Sequence, residues 1–173
     1  MPNNSLLGRI PDNKSFVQPN KFIFVFPEMP FLKYFIQSVN LPDVGTTAPM
    51  VPTAFGANTY RHGDKLVYSE LRATVLIDED MRTWEETFDW LVALTTPEKY
   101  EQYARFYSVN RTLYHDALLT ITTNANQPNI RFKFYDCHPV SITGINFSDS
   151  DNADSIITCD IEFRYDHFVI ERV

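Results

Sequence analysis

The chain reads as an α+β fold that is mainly antiparallel β, a sandwich or barrel with one flanking helix packed on the sheet and an extended interface loop. Three observations point there. Alternating apolar and polar runs lie on both sides of a single strongly helical stretch, giving the order strands, helix, strands. Aromatic residues make up 14% of the 173 positions, including 14 Phe and 9 Tyr, and suit a pleated, half-buried surface. The last alternating run puts Ile157, Cys159, Ile161, Phe163 and Tyr165 on one face and Thr158, Asp160, Glu162, Arg164 and Asp166 on the other. That pattern belongs to an antiparallel sheet with one wet face. A chain of this length supports one sizeable core. The expected organisation is a flexible N-terminal arm over 1–20 and a single β domain over 21–173.

The arm is Asn-rich and carries Pro2, Pro11 and Pro19. Lys21 to Phe26 is expected to be a strand buried on both faces, because Phe22, Phe24 and Phe26 alternate with Ile23 and Val25. Phe31 to Leu41 reads as a second strand ended by Leu41-Pro42. From Val44 to Tyr60 there are 17 residues without a charge, punctuated by Gly45, Pro49, Pro52 and Gly56. So long a connection is uncommon unless it has a job. It either folds back over its own core or packs on a neighbouring subunit, and its apolar content favours the second. Met50, Val51, Phe55 and Tyr60 are the candidate contact residues.

Lys65 to Ile77 is expected as a strand that leads through Asp78, Glu79 and Asp80 into a helix. Acids suit the exposed N–H groups of a first turn. Met81, Trp84, Phe88, Leu91 and Leu94 recur at helical spacing and predict the buried stripe, with Trp90 off it, at a rim or against another chain. Thr96-Pro97-Glu98 predicts a second start, Thr96 as N-cap, with a short helix running to Phe106. Strands are then expected over Asp116–Thr123, Ile130–Tyr135 and Val140–Phe147, with a turn-rich link over Asn124–Asn129, before the closing run.

The formal net charge is −7. An acidic chain lacks the clustered Lys and Arg that hold phosphates. No apolar run is long enough for a membrane span, and the N-terminus lacks a signal peptide's apolar stretch. Two cysteines, Cys137 and Cys159, are too few for a disulfide framework and fit a reducing compartment.

No constellation points to chemistry. His62, His115, His138 and His167 are scattered, without the spacing that zinc ligands require. Asp149-Ser150-Asp151-Asn152-Ala153-Asp154 begins like a calcium loop. It has Ala153 at a ligand position and Asp154 where the glycine belongs, so a solvated turn is the better account. A metal-dependent hydrolase would need those acids to converge with Asp78 or Asp80. The five glycines form no phosphate cradle. No catalytic residue, cofactor or metal is expected, and the protein is read as a non-enzyme.

Three pieces together resemble the tail tube proteins of contractile-tailed bacteriophages. They are Gln18-Pro19-Asn20-Lys21-Phe22 at the start of the first strand, and Val39-Asn40-Leu41-Pro42 with the uncharged loop through Pro52-Thr53-Ala54-Phe55. The third is Gly63-Asp64-Lys65 through Asp78-Glu79 to the Asp89-Trp90 pair. The closing strand from Ile156 to Tyr165 and on to Val173 also fits. The resemblance covers most of the chain from Gln18 onward.

It implies homo-hexameric rings stacked into a hollow tube inside a contractile sheath, subunit sheets joined side by side into one inner barrel. The partners would be further copies of the chain, sheath and baseplate proteins. DNA would pass without specific binding, and no membrane is involved. The location implied is a virion tail assembled in the host cytoplasm. Arg131, Lys133, Asp160, Glu162, Arg164 and the neighbouring Asp166 are the lumen-facing candidates. A tube-like baseplate, initiator or terminator subunit of the same family is the alternative. A monomeric barrel binding a small ligand is the alternative from another class.

Overall fold

The computed structural model describes residues 14–27, 29–54, 56–107, 113–149 and 155–173. In chain order the elements are β1 (Phe22–Val25), α1 (Pro30–Phe35), β2 (Ile36–Val39), β3 (Val44–Thr46), β4 (Met50–Pro52), β5 (Asn58–Tyr60), β6 (Leu66–Tyr68), β7 (Leu71–Leu76), α2 (Arg82–Thr95), α3 (Tyr100–Phe106), β8 (His115–Thr122), β9 (Pro128–Ile142), β10 (Thr158–Arg164) and β11 (Phe168–Arg172). Seven strands form the main sheet in the order β1-β8-β9-β10-β7-β2, with β11 added on β9, and every pair is antiparallel.

Strand β9 decides the architecture. Its first part pairs with β8 and β11, and its second part, from His138 to Ile142, pairs with β10. Between them Asp136 sits in the left-handed region at φ 54. A short polar side chain tolerates that conformation, and the strand turns a corner there. The sheet therefore has two walls, β1-β8-β9-β11 and β9-β10-β7-β2, which share β9 and do not close into a barrel. The expected separate strands over Ile130–Tyr135 and Val140–Phe147 are thus one strand. Pro139 reads as a break because it cannot donate to a ladder, but β9 carries a bulge beside it: Glu162 and Phe163 pair with Ser141 and Pro139, leaving Val140 as the extra residue, and proline is tolerated at bulges.

The inward faces follow the alternation. Leu71, Ala73 and Val75 of β7, Ala117 and Leu119 of β8, Phe132 and Phe134 of β9, and Cys159, Ile161 and Phe163 of β10 are buried in one core. Solid packing of Phe24, Phe26, Trp90, Phe134 and Phe163 fills the space where a ligand-binding barrel would hold its ligand. Strand β1 is buried on one face only: Phe24 is buried while Ile23 is 48% exposed. Among the described residues it pairs with β8 alone, and Ile23 on its second face is left exposed.

The helical layer differs from the expectation in number and in face. Three helices are present among the described residues. Phe31 to Leu41 opens as α1, with Pro30 in the first turn, where its missing N–H costs nothing, and only then becomes β2. Helix α2 buries Thr83, Glu86, Thr87, Trp90 and Ala93, not the predicted stripe. Phe88 is 45% exposed and stacks on the half-buried Trp84 outside, at 5.2 Å between ring centroids. The hydroxyls make the inward face possible. Thr83 Oγ donates to Asp78 at 3.1 Å and Thr87 Oγ to the Thr83 carbonyl at 3.2 Å, so two threonines enter the core with their polar atoms satisfied. Trp90 packs against Phe26, Phe106, His115 and Phe163. Helix α3 ends at Phe106 as expected but starts at Tyr100, capped by Lys99 and the reciprocal side chain of Gln102; Thr96 instead closes α2. No helix among the described residues is long and apolar enough to cross a membrane.

Candidate assembly surfaces

The uncharged segment is an arm built from two short ribbons. Its base is β3 on β6, with Val44 opposite Tyr68. Beyond it lies β4 on β5, with Met50 opposite Tyr60 and Val51 opposite Thr59. The tip is closed by Thr53, whose N–H donates to the Ala57 carbonyl at 3.0 Å, and by Gly56 at φ 74, a conformation natural to glycine. Between the ribbons a Cβ on Gly63 would overlap the Thr47 carbonyl oxygen, so only glycine allows that close approach.

Every described residue from Asp43 to His62 is exposed, which rules out a loop folded over its own core. Met50 is 55%, Val51 44% and Tyr60 69% exposed; Phe55 lies outside the described residues. The arm is separated from the sheet by Asn40. Its side-chain oxygen accepts from the Arg72 N–H at 2.6 Å and its amide donates to the Glu70 carbonyl at 3.2 Å. This is why the strand expected over Lys65–Ile77 splits into β6 and β7. Tyr68 at the arm base packs on Tyr165 and Phe168, 5.8 and 5.6 Å between centroids.

Free strand edges form the second surface. Among the described residues, both outer strands of the wall β1-β8-β9-β11 are paired on one side only. The edge of β1 borders a groove of about 770 Å³ whose other side is β2, lined by Phe22, Ile23, Ile36 and Val39 with Lys33 as its one charge. The exposed apolar residues of β11 are Val169 and Ile170.

The predicted lumen residues fall into two groups on different walls. Arg131 and Lys133 lie on β9 in the wall with β11. Lys133 bonds Asp116 at 3.1 Å, and Arg131 is the cross-strand partner of Glu171. The hydrogen bond from Lys133 to Asp116 raises the lysine pKa above its ordinary value. Asp160, Glu162 and Arg164 lie on β10 in the other wall. Glu162 meets Arg72 at 3.0 Å, Arg164 pairs with Glu70, and Thr74 donates to Asp160 at 2.7 Å. Asp166 follows in the turn before β11 and meets His167 at 3.0 Å.

The residues weighed for chemistry are dispersed. Asp78 caps α2, Asp80 pairs with Arg82 at 3.4 Å, and Asp151 and Asp154 lie outside the described residues. Among the described residues no group of His, Cys, Asp and Glu is arranged to hold a metal. Burial pushes the Cys137 thiol up to about 12 and Cys159 up to about 11, so neither is a ready nucleophile.

The family model described as phage tail tube protein matches residues 15–171. The chain belongs to the phage tail tube protein family. No curated protein matches it in sequence. Its fold is similar to that of the anti-feeding prophage tube-terminating cap, with TM-score 0.61, 13% identity and coverage of 98% of this chain and 99% of that one. It is also similar to a chain of the sheath–tube complex of the PVC extracellular contractile injection system, with TM-score 0.58, 13% identity and 92% and 94% coverage. A chain of the PVC sheath/tube terminator matches with TM-score 0.56, 12% identity and 91% and 98% coverage.

In this tail tube protein the features that sequence reasoning missed are the two free edges and the ribbon structure of the arm. The edges have no sequence signal of their own: the alternation over Lys21 to Phe26 reads as burial on both faces, whereas Ile23 is exposed. The arm strands are three residues each, too short to show a period.

Proposed function

We propose that the protein forms rings of six copies that stack into the inner tube of a contractile tail, and that DNA passes through the bore without specific binding. The single observation that carries the ring is the strand parity of the wall β1-β8-β9-β11. Its strands alternate in direction and number four, so β1 and β11 run opposite ways. When copies are related by rotation, β11 of one meets β1 of the next antiparallel, as in every other pair of the sheet. A head-to-tail contact of this kind closes into a ring and abolishes the edges. The groove beside β1 leaves room for the incoming strand. Six-fold order is supported by analogy, because a chain of the same fold belongs to an anti-feeding prophage baseplate described as six-fold symmetrised.

In this reading the β1-β8-β9-β11 wall faces the bore. Arg131 and Lys133 line it, and Asp160, Glu162 and Arg164 do not. Each bore cation is offset by a carboxylate, Asp116 or Glu171, so no cationic stripe is presented to DNA, and counterion release has little to work on. The exposed arm makes contacts between rings. The sheath and baseplate are the expected outer partners, the virion tail the location, and assembly takes place in the host cytoplasm.

Negative-stain electron microscopy over a concentration series, with mass photometry, tests this: rings or hollow tubes are expected. Cysteines at Arg131 and Glu162 then separate the walls. In assembled tubes the first resists bulky external maleimides and the second reacts; rapid labelling of the first overturns the bore assignment. A tube-terminating role is the second reading, favoured by the near-complete overlap with the prophage cap, and a particle that stops at single rings would support it.

A further inference from the structure

The three helices meet around a pocket of about 310 Å³, lined by Phe31 of α1, by Arg82, Glu85 and Glu86 of α2 and by Arg105 of α3. Glu86 is its buried wall, with a side chain only 6% exposed. One carboxylate oxygen, Oε1, lies 3.5 Å from the Arg105 guanidinium. The other, Oε2, is buried and has no hydrogen-bond donor among the described residues. A carboxylate oxygen withdrawn from water and left unpaired is costly, so it marks a place for an incoming donor.

The local charges decide what that donor is. Both guanidiniums are already engaged: Arg105 also meets Asp89 at 2.7 Å, and Arg82 meets Asp80 at 3.4 Å while lying 5.7 Å from the centre of the Phe31 ring. An anion would therefore meet Glu85 and Glu86 with both lining arginines committed elsewhere. Asp80, Glu85, Glu86 and Asp89 surround only these two arginines, so the pocket is short of positive charge. Among the described residues no group of His, Cys, Asp and Glu is arranged for a metal ion. A compact cation on an apolar stem fits instead. Its three N–H donors would reach Glu86 Oε2 and Glu85, and its stem would lie along Phe31. We propose that this pocket binds a primary alkylammonium group, with Glu86 as the buried acceptor and Glu85 as its partner at the mouth. The site uses none of the strand edges or arm residues on which the tube reading stands, so either can fail alone. Binding is coupled to protonation. Burial holds the Glu86 carboxyl above its ordinary 4.5, against Arg105 and the Phe31 N–H, with Asp78 and Asp89 adding to the rise. An ammonium at Oε2 favours the charged carboxylate and pulls that value back down.

The probe is n-butylammonium chloride, added to the full-length protein and followed by titration calorimetry and thermal melting. Sodium chloride at matched ionic strength is the control. The parent is expected to bind the amine and to melt higher, and Glu86→Gln to bind it about tenfold more weakly. Glu85→Gln changes an exposed position, so it should keep the parent's melting temperature and still lose affinity. That variant frees the result from any folding defect at the buried site. Affinity for the parent should also drop as pH falls through the Glu86 value, since the protonated acid no longer attracts a cation. The source of the ammonium is read by comparing 1,5-diaminopentane with a lysine residue blocked at both ends. Tighter binding of the first assigns the pocket to a free amine, and of the second to a lysine side chain of another protein. Equal binding by the parent and both variants, or no response of the parent beyond that to sodium chloride, would overturn the site and leave water as its occupant.

Discussion

The Trp90 indole N–H donates to the Leu113 carbonyl at 2.9 Å, which ties the centre of α2 to the chain just before β8. The same ring stacks on Phe106 at 5.9 Å and 7°, joining both long helices to the strands. Replacing Trp90 with Ala is therefore expected to cost about 3–5 kcal/mol, the usual range for a buried aromatic. Trp84→Ala should cost less, since Trp84 is only partly buried at the margin of the core and stacks on the exposed Phe88. Urea denaturation of both variants checks the order; equal losses would mean that α2 is anchored by both faces.

Asp78 starts α2 from outside it. Its carboxylate accepts from the Arg82 and Thr83 N–H groups at 3.2 and 3.1 Å and from the Thr83 hydroxyl. Burial raises its pKa, but the bonds from Thr83 and Arg82 outweigh that and leave it below the ordinary 3.8. A depressed carboxylate stabilises the fold above its unfolded pKa and loses that contribution as pH falls through the folded value. Asp78→Ala should cost about 1 kcal/mol near neutral pH, as lost helix caps do. The gap between variant and parent melting temperatures should shrink in acid below about pH 4.

Glu86 titrates in the opposite sense. Burial raises its pKa above the ordinary 4.5, against the pull of Arg105, whose guanidinium lies 3.5 Å away, and of the Phe31 N–H. A raised carboxylate binds its proton more tightly when folded. Its contribution is greatest below the unfolded pKa and declines as pH rises through the folded one. The parent should therefore lose melting temperature relative to Glu86→Gln as pH rises above the ordinary carboxyl value of 4.5. A constant gap would show that the ion pair with Arg105 offsets the burial.

Met50→Asp combined with Val51→Asp should leave the monomer's stability within about 0.5 kcal/mol, because both side chains are exposed. Assembly should be abolished, since each copy would bring two charges into the contact. Sedimentation together with thermal melting separates the two effects. Assembly at the parent's concentration would remove the arm from the interface.

Gly63→Ala probes the arm without adding charge. The new methyl would meet the Thr47 backbone, and the ribbons would have to separate there. The core is remote, so melting should change little while tube yield falls. Normal tubes would show that the arm's angle is not set at this point.

How much of this was legible in the residues varies with the length of the signal. Strand β10 was plain because seven residues alternate without interruption and one face is wholly buried. The α2 helix was legible in place but not in orientation. It has two apolar faces, and the choice between them was made by Thr83 and Thr87, whose hydroxyls look polar in sequence but are satisfied locally in the fold. The continuity of β9 was hidden by His138-Pro139, because a proline's tolerance depends on the bulge at the neighbouring Val140, which exists only in the pairing with β10. Of the candidate surfaces, the arm was visible as a run without charge. The separation of Arg131 and Lys133 from Asp160, Glu162 and Arg164 was not, since alternation places a residue inside or outside but cannot say on which wall.

Strand β9 belongs to both walls, and this has a mechanical meaning. A pull along one wall passes into the other through peptide bonds around Asp136, without relying on side chains to grip. On the opposite side, between β1 and β2, the walls are connected along the chain only through the short helix α1. Under load the subunit should open there first, like a hinge-bound book at its fore-edge. In the proposed ring, a neighbour's strand seated along β1 would act as the clasp, and the strain would fall on the ring rather than on the subunit.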